Sequence, residues 1–332
     1  MESLARWGVG LTLVVMVLTG CKDDASSGGA AATGSAATEK KGTVERPWVL
    51  GMSQCNLGEP WRVQMNADVE AEAKKHPEVK VVFKDAQNDS LRQRAQVEEL
   101  VAQKVDVLII SPKETAPLTA PVAEAFNQGV PVVVLDRRVA GDAFSVFIGA
   151  DNAKIGRAAG AYAQKILGGK GKLVELKGLM TSSPGQDRHR GFREGLDLAG
   201  HPELSIVFEA DMQWLEPKAR QEMESALATA PQIDLVYAHN DPGAHGAWLA
   251  AKAAGREGAI KFIGIDALPH EGVQYVEQGV LDATFAYPTG GKEAVEVSLK
   301  LLAGEKVDKE ITLDTRVFTK DNVAKGGEPV EG

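Results

Sequence analysis

Polar residues able to do chemistry stand where short apolar runs end. Ser53-Gln54-Cys55-Asn56 follows Trp48–Met52, Asp136-Arg137 follows Val130–Leu135, His239-Asn240-Asp241 closes the run that starts at Leu235, and Asp266 follows Phe262–Ile265. Carboxylates, a guanidinium fork and amides can each bridge two neighbouring polar groups of a small ligand, and the charge-assisted bonds among them are the strong ones. Asp136 and Asp266 could in principle act instead as the general acid and base of a glycosidase. Their neighbours are arginine and apolar residues, and nothing sets one acidity above the other. The residues therefore read as a binding set and the chain as no enzyme. Two other chemistries fail on spacing. Gly168-Gly169-Lys170-Gly171-Lys172 precedes an apolar run, lacks the Ser or Thr after its lysine and misses the phosphate-loop register, which leaves a helix C-cap turn. The six histidines include His239 and His245 but form no H-E-x-x-H motif and no compact Cys/His cluster, so neither a metal nor a cofactor is expected.

The elements that must position these residues alternate. Further β-rich runs lie at Val79–Phe83, Val105–Ile110, Leu173–Leu176, Ile206–Phe208 and Ala283–Phe285, most of them separated by helix-length segments. Ser90-x-x-Gln93 reads as a capping box opening a helix that buries Val97, Leu100 and Val101, and Gly129-Val130-Pro131 ends the next helix before a strand. Runs such as V-D-V-L-I-I and V-P-V-V-V-L suit strands covered on both faces, hence parallel sheets with helical crossovers. The fold class is α/β, and the series before and after about Ala150 imply two doubly wound parallel-sheet lobes. Ligands of open α/β sheets sit outside the carboxyl ends of the strands, which is where the polar residues cluster.

At roughly 150 residues per domain, the 332 residues of the chain imply two domains. Lys plus Arg number 37 against 46 Asp plus Glu, a formal net charge of −9. No basic run interleaves with aromatics, so nucleic acid is not an expected partner. Two cysteines make no disulfide framework, and Cys55 reads as a small apolar packing group. At the start of the chain Arg6 precedes an apolar stretch from Trp7 to Leu18, too short for the ~20 residues that cross a bilayer and suited to a secretory h-region. It ends Leu18-Thr19-Gly20-Cys21, which resembles the lipobox of bacterial lipoproteins. That resemblance implies a signal peptide over 1–20 and acylation of Cys21, palmitate included, as the mature N-terminus. Residues 21–46, rich in Gly, Ala, Ser and Thr, read as a flexible tether of roughly 25–30 Å, with the fold beginning near Pro47.

L-D-R at 135–137, G-A-D-N at 149–152, Q-D-R-H-R-G-F at 186–192, V-Y-A-H-N-D at 236–241 and G-I-D at 264–266 stand in an order and spacing with a known precedent. Over nearly all of 47–320 the chain resembles the periplasmic sugar-binding proteins that feed ABC transporters, of the type I, ribose-binding-like fold. Ser53-Gln54, Trp61-Arg62 and Y-A-H-N-D are closer to the galactofuranose-binding member than to the ribose-binding one.

The resemblance implies an N-terminal lobe of 47–149 plus 288–312 and a C-terminal lobe of 150–287 plus 313–325. Three crossings, near Ala150-Asp151, Tyr287 and Thr312, would join them, with helix Gly290–Leu302 returning to the first lobe. It places sugar contacts on Trp61, Arg62, Asp136, Arg137, Arg188, Trp214, Asn240, Asp266 and Tyr287. Trp61 and Trp214 would supply the flat apolar faces that sugar C–H surfaces need. Asn240 would combine its contact with an N-cap role. Glu59 faces the same cleft but reads as a solvated loop acid, Asp151-Asn152 as hinge and helix cap, and Trp248 as core. Ile265 replaces an aromatic and Tyr287 a glutamine of the ribose-binding member, so the pocket is not tuned to ribose.

The protein so implied is a monomeric, extracytoplasmic lipoprotein, in the periplasm or at the cell surface, held to the membrane by Cys21. It captures a monosaccharide between closing lobes and delivers it to the membrane subunits of an ABC permease, or signals its presence to a chemoreceptor or sensor kinase. Transcription factors of the lac-repressor type share this fold behind a helix-turn-helix, which the export segment and charge-balanced tether replace here. Asp136→Ala is expected to abolish binding and leave the fold intact.

Overall fold

Apolar runs separated by amphipathic segments fold into two parallel sheets clad in helices. A computed structural model describes residues 41–331; the export segment, Cys21 and the tether as far as residue 40 lie outside them. The first series is β1 (Trp48–Gln54), α1 (Pro60–Ala73), β2 (Val79–Asp85), α2 (Ser90–Ala102), β3 (Val107–Ser111), α3 (Thr115–Asn127), β4 (Val132–Leu135) and β5 (Val146–Ala150). The second is α4 (Asn152–Leu167), β6 (Gly171–Lys177), α5 (Ser183–Leu196), β7 (Leu204–Asp211), α6 (Glu216–Thr229), β8 (Leu235–Ala238), α7 (Asp241–Ala253), β9 (Lys261–Asp266), α8 (Gln274–Glu277) and β10 (Ala283–Ala286). The chain then adds α9 (Gly291–Leu302), β11 (Glu310–Leu313), β12 (Arg316–Thr319) and β13 (Glu328–Pro329).

The sheets run β11-β5-β4-β3-β1-β2 and β13-β12-β10-β9-β8-β6-β7, parallel except at β12 and β13. The chain passes between them three times, after β5, after β10 and between β11 and β12. This is the two-lobe, three-crossing α/β architecture the strand pattern implies. Central strands such as β3, β4 and β8 are buried at every residue, as the continuous apolar runs require. One core, with Val97, Leu108 and Val134, lies under α2 and α3; another, with Met223, Val236 and Phe262, under α6 and α7; the largest joins the remaining faces. Residues 41–46 precede β1 and are fastened beside it, Lys41 Nζ lying 2.6 Å from Asp106 Oδ1.

Two local readings differ from what forms. Asp89, not Ser90, caps α2, its carboxylate accepting from the N–H groups of Leu91 and Arg92. Gln93 is fully buried, and its amide reaches the Ser111 carbonyl (2.9 Å) and the Lys113 N–H (2.8 Å), tying the end of β3 to the helix. A carboxylate one residue earlier outcompetes the serine for the helix N–H groups, which frees the glutamine for the core. β5 and β11–β13 are strands beyond the expected runs.

Helices α4 and α5 meet backbone to backbone. A Cβ at Gly160 would lie 2.3 Å from the Phe192 carbonyl, and one at Gly195 2.0 Å from that of Arg157, so only glycine permits this approach. The contact brings the first turns of both helices together and sets Arg188 beside Asn152.

Candidate functional site

All nine residues singled out above line one cavity of about 270 Å³ between the sheets, where Glu59 and Pro184 join them. Small-molecule pockets hold roughly 300–1,000 Å³, so this one suits a compact ligand. The named side chains other than Pro184 are at most 9% exposed. The two lobes touch around the cavity: Thr181 Oγ1 donates to Glu114 (2.8 Å) and the Arg138 N–H to Ser183 Oγ (2.9 Å).

The first lobe supplies a charged floor. The loop after β1 is folded by Asn56, whose Oδ1 accepts from the Gly58 N–H and whose Nδ2 donates to Glu59 (3.0 Å), and it delivers Trp61 and Arg62 in the first turn of α1. Glu59 is thus buried rather than solvated, because this bond and Arg62 at 3.9 Å compensate its desolvation. Arg62 Nη1 donates to Asp136 Oδ2 and to Ser111 Oγ, both at 2.7 Å, while Arg137 Nε stands 3.6 Å from the same carboxylate. Burial works to raise the Asp136 acidity constant, but Arg62 and then Arg137 outweigh it and hold the group below the usual carboxylate range.

The second lobe supplies Arg188, Trp214, Asn240 and Asp266. Arg188 donates to Asn152 Oδ1 (2.8 Å) and to the His239 carbonyl, and its Nη1 lies 3.8 Å from Asp266. Asn240 caps α7 through Oδ1, which accepts from the Gly243 N–H, and its Nδ2 donates to the Trp214 carbonyl. One amide proton is left for a ligand. Burial pushes Asp266 well above the ordinary range, opposed by Arg188 and reinforced by Asp241 and Glu271. The same cause, burial first, raises Asp241 to about 6 and Glu271 to about 7.

Tyr287, at the second crossing, ties the halves together. Its hydroxyl donates to the Asp136 carbonyl (3.3 Å) and accepts from Asn152 (3.2 Å), and its carbonyl accepts from Trp61 Nε1 (2.7 Å). Its ring lies 5.3 Å from that of Trp61, and Arg188 sits over it at 4.6 Å.

Backbone strain gathers here. Asp136 (φ 66°), Trp214 (71°) and Asp266 (128°), with neighbours Gln213 and Ala267, adopt positive φ without being glycine, a state that persists only where the surroundings enforce it. Behind the cavity lies a buried ionic cluster that the sequence reading passed over. Glu175, fully buried in β6, accepts from His189 (2.9 Å), His239 (3.1 Å) and Arg193 (2.9 Å). An acid inside the apolar run L-V-E-L was its signal.

The cavity therefore has flat rings and three guanidiniums set against three carboxylates, a charge-balanced enclosure for a small, neutral, hydroxyl-rich molecule. Residues 50–306 match the periplasmic binding protein domain. The ribose import binding protein RbsB of Bacillus subtilis (strain 168) is 33% identical over 278 residues, covering 83% of this chain and 88% of that protein. The fructose-binding periplasmic domain of a hybrid two-component system is 40% identical, with a TM-score of 0.81 over 84% of this chain and 93% of that one. A Mycobacterium smegmatis protein in complex with β-D-fucofuranose is 30% identical, with a TM-score of 0.80 over 84% and 93% of the respective chains. These are substrate-binding proteins and not enzymes, and this chain, sharing their fold and their sequence over most of its length, belongs to the type I periplasmic sugar-binding family.

Proposed function

We propose that the protein captures a single neutral monosaccharide in the cavity between its lobes, in the periplasm or at the cell surface, and delivers it to the membrane subunits of an ABC permease. The observation that carries this reading is the charge-balanced, ring-walled enclosure. Three arginines, each facing a carboxylate within 4 Å, disfavour an anionic ligand because their charge is already compensated. Vicinal hydroxyls can accept from the guanidiniums and donate to Asp136 and Asp266, while Trp61 and Trp214 cover C–H faces. Because the lining side chains are buried, entry and exit require the lobes to part about the three crossings.

The test is thermal unfolding of residues 45–332 against a panel of pentoses, hexoses and polyols that includes furanose-forming members. A sugar at 100 times its dissociation constant adds ~2.7 kcal/mol to stability, so a rise in Tm confined to one or a few sugars is expected. A flat panel, on protein stripped of copurified ligand by partial unfolding, would sink the sugar reading. The likeness to a two-component sensor domain, at 40% identity, favours signalling as a second output. Sugar-dependent stimulation of ATP hydrolysis by the permease encoded beside the protein separates the two.

In this reading Cys21 carries the acyl anchor and the monomer floats on its tether, since stable attachment takes more than one chain. Cys21→Ala is expected to release the protein into the soluble fraction and to abolish metabolic labelling with palmitate. Equal labelling of the mutant would refute the anchor.

A further inference from the structure

We propose that Gly178 sets the depth of the cavity on the second-lobe side, by letting the edge of the Trp214 indole lie directly on its backbone. The proposal rests on the reading of this cavity as the sugar site. Gly178 is buried immediately after β6. A Cβ there would fall 2.3 Å from Cη2 and 2.4 Å from Cζ2 and Cζ3 of Trp214, three atoms on the outer edge of the six-membered ring. The Gly178 backbone lies outside the positive-φ region that disfavours L residues, so the indole alone excludes a side chain.

The indole has little freedom to yield. Gln213 and Trp214 have φ values of 56° and 71°, and the Leu215 N–H donates to the Met212 carbonyl at 3.0 Å, the signature of a type I′ turn. Asn240 Nδ2 holds the Trp214 carbonyl at 3.0 Å. Beyond the ring stand the guanidiniums of Arg137, from the first lobe, and Arg188, from the second, 5.5 and 5.3 Å from its centroid. With the base of the side chain pinned, a methyl group at 178 displaces the ring toward these arginines and into the cavity. The indole N–H is buried without a protein acceptor, which leaves it to serve a ligand, and its register would be lost with the ring's. Gly178 is thus a positioning residue for Trp214 and a size filter for the ligand.

The experiment compares Gly178→Ala with the wild type. Affinity for the sugars bound by the wild type is expected to fall at least about tenfold, the equivalent of one hydrogen bond put out of register. The loss should be larger for a six-carbon sugar than for its five-carbon counterpart of the same ring form. Adding Trp214→Phe to Gly178→Ala, which trims the clashing edge, should recover part of that loss, whereas a general packing defect would only deepen. In ligand-free protein the indole N–H resonance assigned through Trp214→Phe should move in Gly178→Ala, while those of Trp48 and Trp248 stay in place. A resonance that does not move, or one that moves while every sugar keeps its affinity, overturns the proposal. A wild type that binds no sugar refutes the sugar reading instead, and the resonance still decides whether Gly178 positions the indole.

Discussion

Asp136→Ala is expected to remove both the ligand and a large part of the protein's stability. The carboxylate is the shared counter-ion of Arg62, at 2.7 Å, and Arg137, at 3.6 Å, and both arginines are buried. Breaking a buried ion pair from one side costs about 3–5 kcal/mol, because a charge is left in low dielectric without compensation. Alanine also sits poorly at φ 66°, where Asp and Asn are tolerated through local hydrogen bonds. Tm should fall by about 6–20 °C, and affinity by about 10- to 100-fold for each charge-assisted bond lost to the ligand. The expectation from sequence that the fold would survive intact is therefore corrected: the residue that grips the ligand also neutralises the floor of the site. Asp136→Asn, which tolerates the backbone and keeps one acceptor, should lie between the two. Calorimetric titration and thermal melts of both variants are the measurements. Unchanged affinity would remove Asp136 from the site, and an unchanged Tm would show that Arg62 and Arg137 do not depend on it.

Glu175→Ala is expected to destabilise the second lobe by a similar ~3–5 kcal/mol, since it strands Arg193, His189 and His239 around a fully buried position. This loss has a pH signature. Burial tends to raise the Glu175 acidity constant, but hydrogen bonds from His189 and His239 override it and hold the group far below the ordinary range. A carboxyl whose folded value is depressed contributes stability above its unfolded value, about 4.3, and loses it as pH falls through the folded value. The gap in Tm between wild type and Glu175→Ala should be widest near neutrality and shrink below about pH 4. A gap that stays constant into acid would mean that the variant fails through its cavity and not through its charge. His239 acts in the same direction by another route: burial lowers its acidity constant, so the folded state prefers the neutral ring. Its contribution is lost as pH falls below the unfolded value of about 6.5.

Several features were legible because they are local. A parallel strand buried on both faces must be apolar at every position, and V-V-V-L, V-L-I-I-S and L-V-Y-A say so without reference to the rest of the chain. Polar residues directly after such runs stand at strand carboxyl ends, which is why Asp136, Arg137, Asn240 and Asp266 could be placed at a cleft before their partners were known. The short strands β11–β13 were not legible. Their four-, four- and two-residue runs are half exposed, and β11 earns strand form only by pairing with β5, more than 150 residues earlier.

What the sequence by itself determined was the fold class, the division into two sheets and the identity of the residues that meet in the cavity. Period, run length and position relative to strand ends are properties of neighbouring residues, and the resemblance in motif order supplied the rest. What only the tertiary structure decided was the charge state and mutual support of those residues. Glu59 is buried because Asn56 and Arg62 meet it, Gln93 leaves its helix end for the end of β3, and Asp136 serves two arginines at once. The Trp214 indole lies where it does because Gly178, distant in sequence, leaves room for it. Desolvation, ion pairing and close packing depend on which surfaces are brought together across the chain, and no local pattern encodes that.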